Sequence, residues 1–413
     1  MSYLVGPIAI KKGKISIISD SPLWNNNYET IERKGLGHPD TISDMLAAKV
    51  SKDYSKYTLD HFGVILHHQI DKLMVVGGKT NVSFGHGEFI KPIQIVVAGR
   101  ISYTFGSTKI PVDKILKDVI IKHFNDNFPL VKSKNIIINN YLTNFAGPGT
   151  INKSKGAIAN MFNPKTKTQV RGYDKLVAND TSYCIAYSPL SHLEKSVIEI
   201  EKYLNSRETK NIYPWLGTDI KIMAVRNYKK ISVTLCIPQI AKFVKSLREY
   251  QANLDLIGKV INTKLKKLLP DYDIEISLNT KDDYKKMNIY LTASGASLSG
   301  DVGVVGRGNR TNGLITSNRP MSMEGTNGKN PRYYSGFIYA NLVKKISQRI
   351  QSELNKQNIV EMVSQNGAPL NNPWQTRIIT KANKKKVEKI VKEELKNIES
   401  ITQDFLNGKL ENF

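Results

Sequence analysis

Glu32-Arg33-Lys34-Gly35-Leu36-Gly37-His38-Pro39-Asp40 stands directly before the first amphipathic helix of the chain. From Asp40 to Leu59, Ile42, Met45, Leu46 and Val50 recur at helical spacing. Asp40 is placed to cap that helix, with Ser43 and Asp44 in its first turn. A helix N-terminus offers free N–H groups and partial positive charge, which suit an anion. Arg33, Lys34 and His38 add phosphate donors, while Glu32 and Asp40 add oxygen ligands for Mg²⁺. Taken alone, the segment reads equally as a plain turn with a capping aspartate.

Strands and helices mix on both sides of it. Leu73 to Val76, Ile93 to Tyr103 and Asn135 to Leu142 read as strands, and Val112 to Phe128 as a helix that stops at Pro129. Leu190 to Leu204 and Leu254 to Leu269 are helical. Ile220 to Val225 and Ile231 to Ile237 pair around Asn227-Tyr228-Lys229, and Ile274 to Leu278 pairs with Met287 to Thr292. Tyr333 to Leu354 and Lys385 to Leu406 are two long helices with a strand at Ile359 to Ser364 between them. Strand pairs recur with helices about three times, which fits three α+β modules. Residues 143–175 and 294–331 remain as long loops, and loops of that length in a compact protein usually carry function.

The 413 residues suggest two to four domains, at roughly 100–200 residues each. No apolar run is long enough to span a membrane, and the N-terminus lacks a secretory pattern. Cys184 and Cys236 sit in apolar runs as buried thiols do, with no zinc or disulfide spacing. A reducing cytoplasm is the expected compartment. The net charge of +24 raises nucleic-acid binding, but the lysines are scattered over helix faces rather than gathered. The expectation is a solvated basic surface, with no nucleic acid and no membrane as partner.

Further clusters carry chemistry. Gly300 to Arg310 holds four glycines with Asp301, Arg307 and Arg310, a composition that lets backbone approach a ligand and guanidinium groups meet phosphate. Gly328-Lys329-Asn330-Pro331 precedes a long helix, and Asn179-Asp180 opens an apolar run. Gly77-Gly78-Lys79-Thr80 is no phosphate loop, because the earlier glycine position holds Leu73. His67, His68 and His86 lack metal spacing and read as core or surface residues.

Taken in order, these segments, with Arg319-Pro320-Met321-Ser322-Met323-Glu324, resemble the archaeal-type S-adenosylmethionine synthetases. The resemblance implies an α+β fold of three similar sheet-plus-helix domains around a pseudo-threefold axis. The corresponding divisions are 1–140, 141–285 and 286–413, with segments interleaved between domains. It implies transfer of the adenosyl group of ATP to L-methionine, with triphosphate leaving and then hydrolysed. It also implies Mg²⁺, two ions being usual, and a homodimer with active sites at the interface. By the same resemblance His38, Lys221, Arg307 and Lys329 are catalytic. Asp180, Asp219, Asp301 and Arg310 contact substrate, and Glu32 and Asp40 hold metal. Gly147 and Gly149 follow a strand and open the long loop 143–175, a position that assigns them to the nucleotide site or its lid. Departures are equally specific. Gly308 stands where bacterial members have a second basic residue, with Arg310 nearby to serve instead. Tyr333 and Ser335 stand near a usual Lys and metal-binding Asp, and Lys79 replaces a K⁺-binding glutamate, which puts K⁺ dependence in doubt.

Overall fold

The β-branched run Ile93–Ile101 sits at the middle of a four-stranded sheet, between His68–Val76 and Ile136–Thr143, with Val302–Val304 on the far edge. The computed structural model describes residues 13–20, 27–145 and 161–410. Alternate residues of His68–Val76 are buried, so one face of this sheet packs on helices α1 (Pro39–Phe62) and α2 (Val112–Asn127). Leu46, Val50, Tyr54, Leu73, Val97 and Phe124 meet there.

A second sheet has the strand order 273–278, 230–236, 221–227, 28–34, 315–316. It is covered by α3 (His192–Asn205), the short α4 (Arg207–Ile212) and α5 (Leu247–Leu268). Helix α3 opens with a reciprocal cap: Ser191 Oγ accepts the Glu194 N–H at 3.1 Å, and the Glu194 carboxylate accepts the Ser191 N–H at 2.7 Å. A third sheet, in the order 14–18, 375–380, 358–363, 183–188, packs on α6 (Ser335–Leu354), α7 (Lys384–Lys396) and α8 (Ser400–Leu406). The mixed α+β class is therefore as expected, with three large apolar clusters among the described residues.

Several expectations are corrected. Asp273–Leu278 does not pair with residues 287–292. It adds in parallel to the edge of Lys230–Cys236, while Leu291–Thr292 pairs with Gln239–Ile240. Directly after Asp273–Leu278, Asn279 turns the chain with a positive φ of 42°. Its side chain then bonds both the N–H and the carbonyl of Ile237, at 2.7 and 2.9 Å. The single helix expected over 385–406 is two. The break after Lys396 lets Phe405 reach Phe337, their ring centres 5.0 Å apart, while Leu395 stays in the same core. Cys236 is only half-buried, unlike Cys184. Within 294–331 the chain is pinned by short strands at Val302–Val304 and Ile315–Thr316. His67 and His68 are core residues and His86 is exposed.

Candidate active site

The turn before α1 is built from the second sheet outward. Strand 28–34 ends at Lys34, and the Gly37 N–H is tied to the Thr218 carbonyl at 2.9 Å. His38, not Asp40, caps α1. Its extended backbone precedes Pro39 at the first helical position, and its Nδ1 accepts the Asp40 N–H at 3.2 Å. With Nδ1 accepting, the assigned tautomer carries its proton on Nε2. Burial lowers the His38 pKa below its ordinary value, although Asp219 and Asp40 pull the other way. The ring is thus a neutral donor near pH 7.

Relieved of the capping role, the Asp40 carboxylate faces the glycine loop. Oδ1 accepts the Val304 N–H and Oδ2 accepts from Lys34 Nζ, both at 2.9 Å. Burial raises its pKa, but the Lys34 and Val304 hydrogen bonds outweigh burial and hold it below the usual range. Lys34 Nζ also donates to the Arg307 carbonyl at 2.7 Å. Gly303 is needed for this packing, because a Cβ there would fall 2.0 Å from the Pro39 carbonyl carbon. Arg33, expected as a phosphate donor, is instead buried against Glu201 at 2.8 Å and the Gly313 carbonyl at 2.6 Å. The Arg307 guanidinium is exposed and makes no hydrogen bond or ion pair among the described residues. Arg310 is turned back onto the Gly306 carbonyl at 2.7 Å.

Lys221 and Asp219 enter from the neighbouring strand. Lys221 Nζ lies 3.3 Å from Glu32 Oε1 across the pair of strands. The Asp219 carboxyl is buried, and burial raises its pKa while the hydrogen bond donated by the Tyr290 hydroxyl opposes the rise. Its other oxygen is buried with no partner among the described residues. Asp301 accepts from Ser297 Oγ at 2.9 Å and from the Val302 N–H at 3.0 Å, and its charge acts on Asp219. Glu32, His38, Asp40, Asp219, Lys221, Asp301 and Arg307 are thereby one neighbourhood.

Lys329 and Asp180 belong to another. Lys329 Nζ is buried 2.8 Å from Asp71, whose carboxyl is held well below its ordinary pKa by Lys329 and Lys72 in spite of partial burial. The Asp180 carbonyl accepts from Ser335 Oγ and Ser364 Oγ at the start of α6. Ser51 Oγ donates to the Lys329 carbonyl at 2.9 Å. Ser51 lies about 18 Å along α1 from its first residue, at 1.5 Å per residue, and its bond holds the Lys329 main chain at that level of the helix. Gly147 and Gly149 lie outside the described residues. Sequence reasoning missed Asp71 and Tyr290. The signal for Asp71 was a carboxylate next to Lys72 in the polar first half of a strand that runs on as Leu73-Met74-Val75-Val76.

A helix N-terminus, a glycine loop and alternating cations and carboxylates on an α+β scaffold define a class of protein suited to a polyanionic ligand. The family model described as S-adenosylmethionine synthetase (AdoMet synthetase) matches residues 11–409, and the chain belongs to that family. The S-adenosylmethionine synthase of Caldivirga maquilingensis is 36% identical over 414 residues, 97% of this chain and 98% of that one. A probable S-adenosylmethionine synthase of Aquifex aeolicus is 35% identical over 396 residues, 94% and 96% of the two chains. A solved structure, an unusual S-adenosylmethionine synthetase from Campylobacter jejuni, matches with a TM-score of 0.51 at 14% identity. It covers 92% of this chain and 88% of that one, a likeness of fold.

Proposed function

We propose that the chain makes S-adenosylmethionine from ATP and L-methionine. The observation that carries this is the gathering of His38, Asp40, Asp219, Lys221 and Asp301 beside the exposed Arg307, in a chain whose family match runs nearly end to end. The methionine sulfur forms a bond to ribose C5′ as the C5′–O bond breaks, and triphosphate leaves with the electron pair before hydrolysis to pyrophosphate and phosphate. No side-chain nucleophile is needed. The protein's task is alignment and stabilisation of departing charge.

His38 donates through Nε2 to the leaving oxygen, and Lys221, Arg307 and Lys329 neutralise phosphate. Asp180, Asp219 and Asp301 orient the nucleoside and methionine ends, with Arg310 behind the loop. Asp40, kept ionised, and Glu32 are hard oxygen donors that fit Mg²⁺ when phosphate completes the shell. Bound Mg²⁺, two ions in this reading, supplies charge neutralisation at the phosphates. Lys79 stands in for K⁺.

The same reading takes the three sheet-plus-helix units as domains related by a pseudo-threefold axis, divided near 140 and 285 with segments interleaved. It makes the enzyme a cytoplasmic homodimer, in which the Lys329–Asp71 group of one chain faces the His38 group of the other. No described helix is long and apolar enough to cross a membrane. The test is an assay with ATP, Mg²⁺ and methyl-labelled methionine. Label appearing in a sulfonium product that requires ATP supports the reading, and ATP turnover without label transfer overturns it.

A further inference from the structure

We infer that Asp44 is a positioning residue that presents the Arg307 guanidinium to polyphosphate. The inference rests on the reading that this site binds triphosphate. Glycine at 300, 303, 306 and 308 gives this loop backbone freedom that is costly to order. Glycine loops that cradle phosphate do so with their own N–H groups. Here those groups are already taken. The Val304 N–H bonds Asp40 at 2.9 Å, the Gly306 N–H bonds Asp44 Oδ1 at 2.8 Å, and the Gly308 N–H bonds Asp44 Oδ2 at 3.2 Å. Asp40 and Asp44 are one helical turn apart on the same face of α1, so a single helix edge sets the shape of the loop.

Lys34 holds the Arg307 carbonyl and Arg310 holds the Gly306 carbonyl, both at 2.7 Å. With main-chain groups of 304, 306, 307 and 308 turned inward, the Arg307 side chain is what the loop offers outward. Asp44 is buried, and burial pushes its carboxyl up to about 6 against the backbone hydrogen bonds, so it is ionised and accepting at pH 7. Its remaining partner is the side chain of Asn327, two residues before Lys329. The contact also accounts for Gly308. A Cβ there would lie 2.2 Å from Asp44 Oδ2, which leaves no room for the basic residue of bacterial members.

The test is binding of inorganic tripolyphosphate to the full chain by calorimetry at fixed Mg²⁺, for the parent, Arg307→Ala, Asp44→Asn and the double variant. Losing a charge-assisted contact should weaken each single variant by about tenfold to a hundredfold. Because Asp44 acts through Arg307, the double variant should match Arg307→Ala to about twofold. Losses that multiply in the double variant, or parental binding by Asp44→Asn, overturn the inference. Parental binding by Arg307→Ala overturns the polyphosphate reading itself. Should Asp44→Asn lose its thermal transition, Gly308→Ala displaces the same carboxylate from the loop side and enters the same comparison.

Discussion

Acidification from pH 7 to pH 5 should remove a large part of the stability of this fold, through His67, His68 and His123. All are buried, and burial lowers their pKa values to about 3, 4 and 3 from an ordinary 6.5. His67 Nε2 accepts the Arg171 N–H at 3.1 Å, and His123 Nδ1 meets Lys49 Nζ at 2.9 Å, contacts that suit a neutral ring. In His68 burial alone keeps the ring neutral, against the Leu66 carbonyl, which favours the charged form. The unfolded chain takes up protons below pH 6.5 that the folded chain refuses. The stability is therefore present above 6.5 and lost as pH falls toward 4. At pH 5 each histidine accounts for about 2 kcal/mol, or about 6 together. Asp44 opposes them. Its folded pKa of about 6 lies above the ordinary 3.8, so the folded state gains stability as pH falls through 6, by about 1 kcal/mol at pH 5. Over these four groups the histidines outweigh Asp44 by about 5 kcal/mol, against a typical total stability of about 5–15. Urea unfolding followed by circular dichroism at one protein concentration measures it. The midpoint should drop between pH 7 and pH 5, and His123→Leu should remove about two-fifths of the drop. Equal midpoints at the two pH values, or an unchanged drop in His123→Leu, would refute the argument.

Asp71→Asn deprives the buried Lys329 ammonium of its 2.8 Å partner and should lower kcat/KM by about ten- to a hundredfold in initial-rate measurements. Parental rates would take this pair out of the site. Gly303→Ala drives a methyl group into the Pro39 carbonyl and should cost about 2 kcal/mol or more, seen as a lower Tm. Replacing NaCl by KCl at constant ionic strength should leave turnover flat if Lys79 substitutes for the ion, and a steep rise with K⁺ alone sinks that idea. Chelation of Mg²⁺ by EDTA should abolish product formation and restoring Mg²⁺ should recover it, whereas full activity in EDTA would remove Asp40 and Glu32 from the metal role.

What the sequence by itself determined was periodic and local. The apolar stripe Ile42, Leu46, Val50 made α1, the β-branched run 93–101 made a central strand, and the stretch Leu190 to Leu204 read as the helix that is α3. Glycine, His38 and Asp40 marked the turn that matters, because composition and spacing are visible along one chain. Tertiary structure decided the partners. Whether Asp40 caps a helix or grips Lys34 and Val304 depends on a loop more than 260 residues away. Burial, which turns Asp44 into an anchor and removes Arg33 from the ligand, is set by elements that sequence periodicity does not order in space. The same holds for strand 28–34, which lies beside 221–227, and for Asp71, which meets Lys329 across the fold. Pairing of distant groups is fixed by packing as a whole, so the charges of this site were legible as residues and not as contacts.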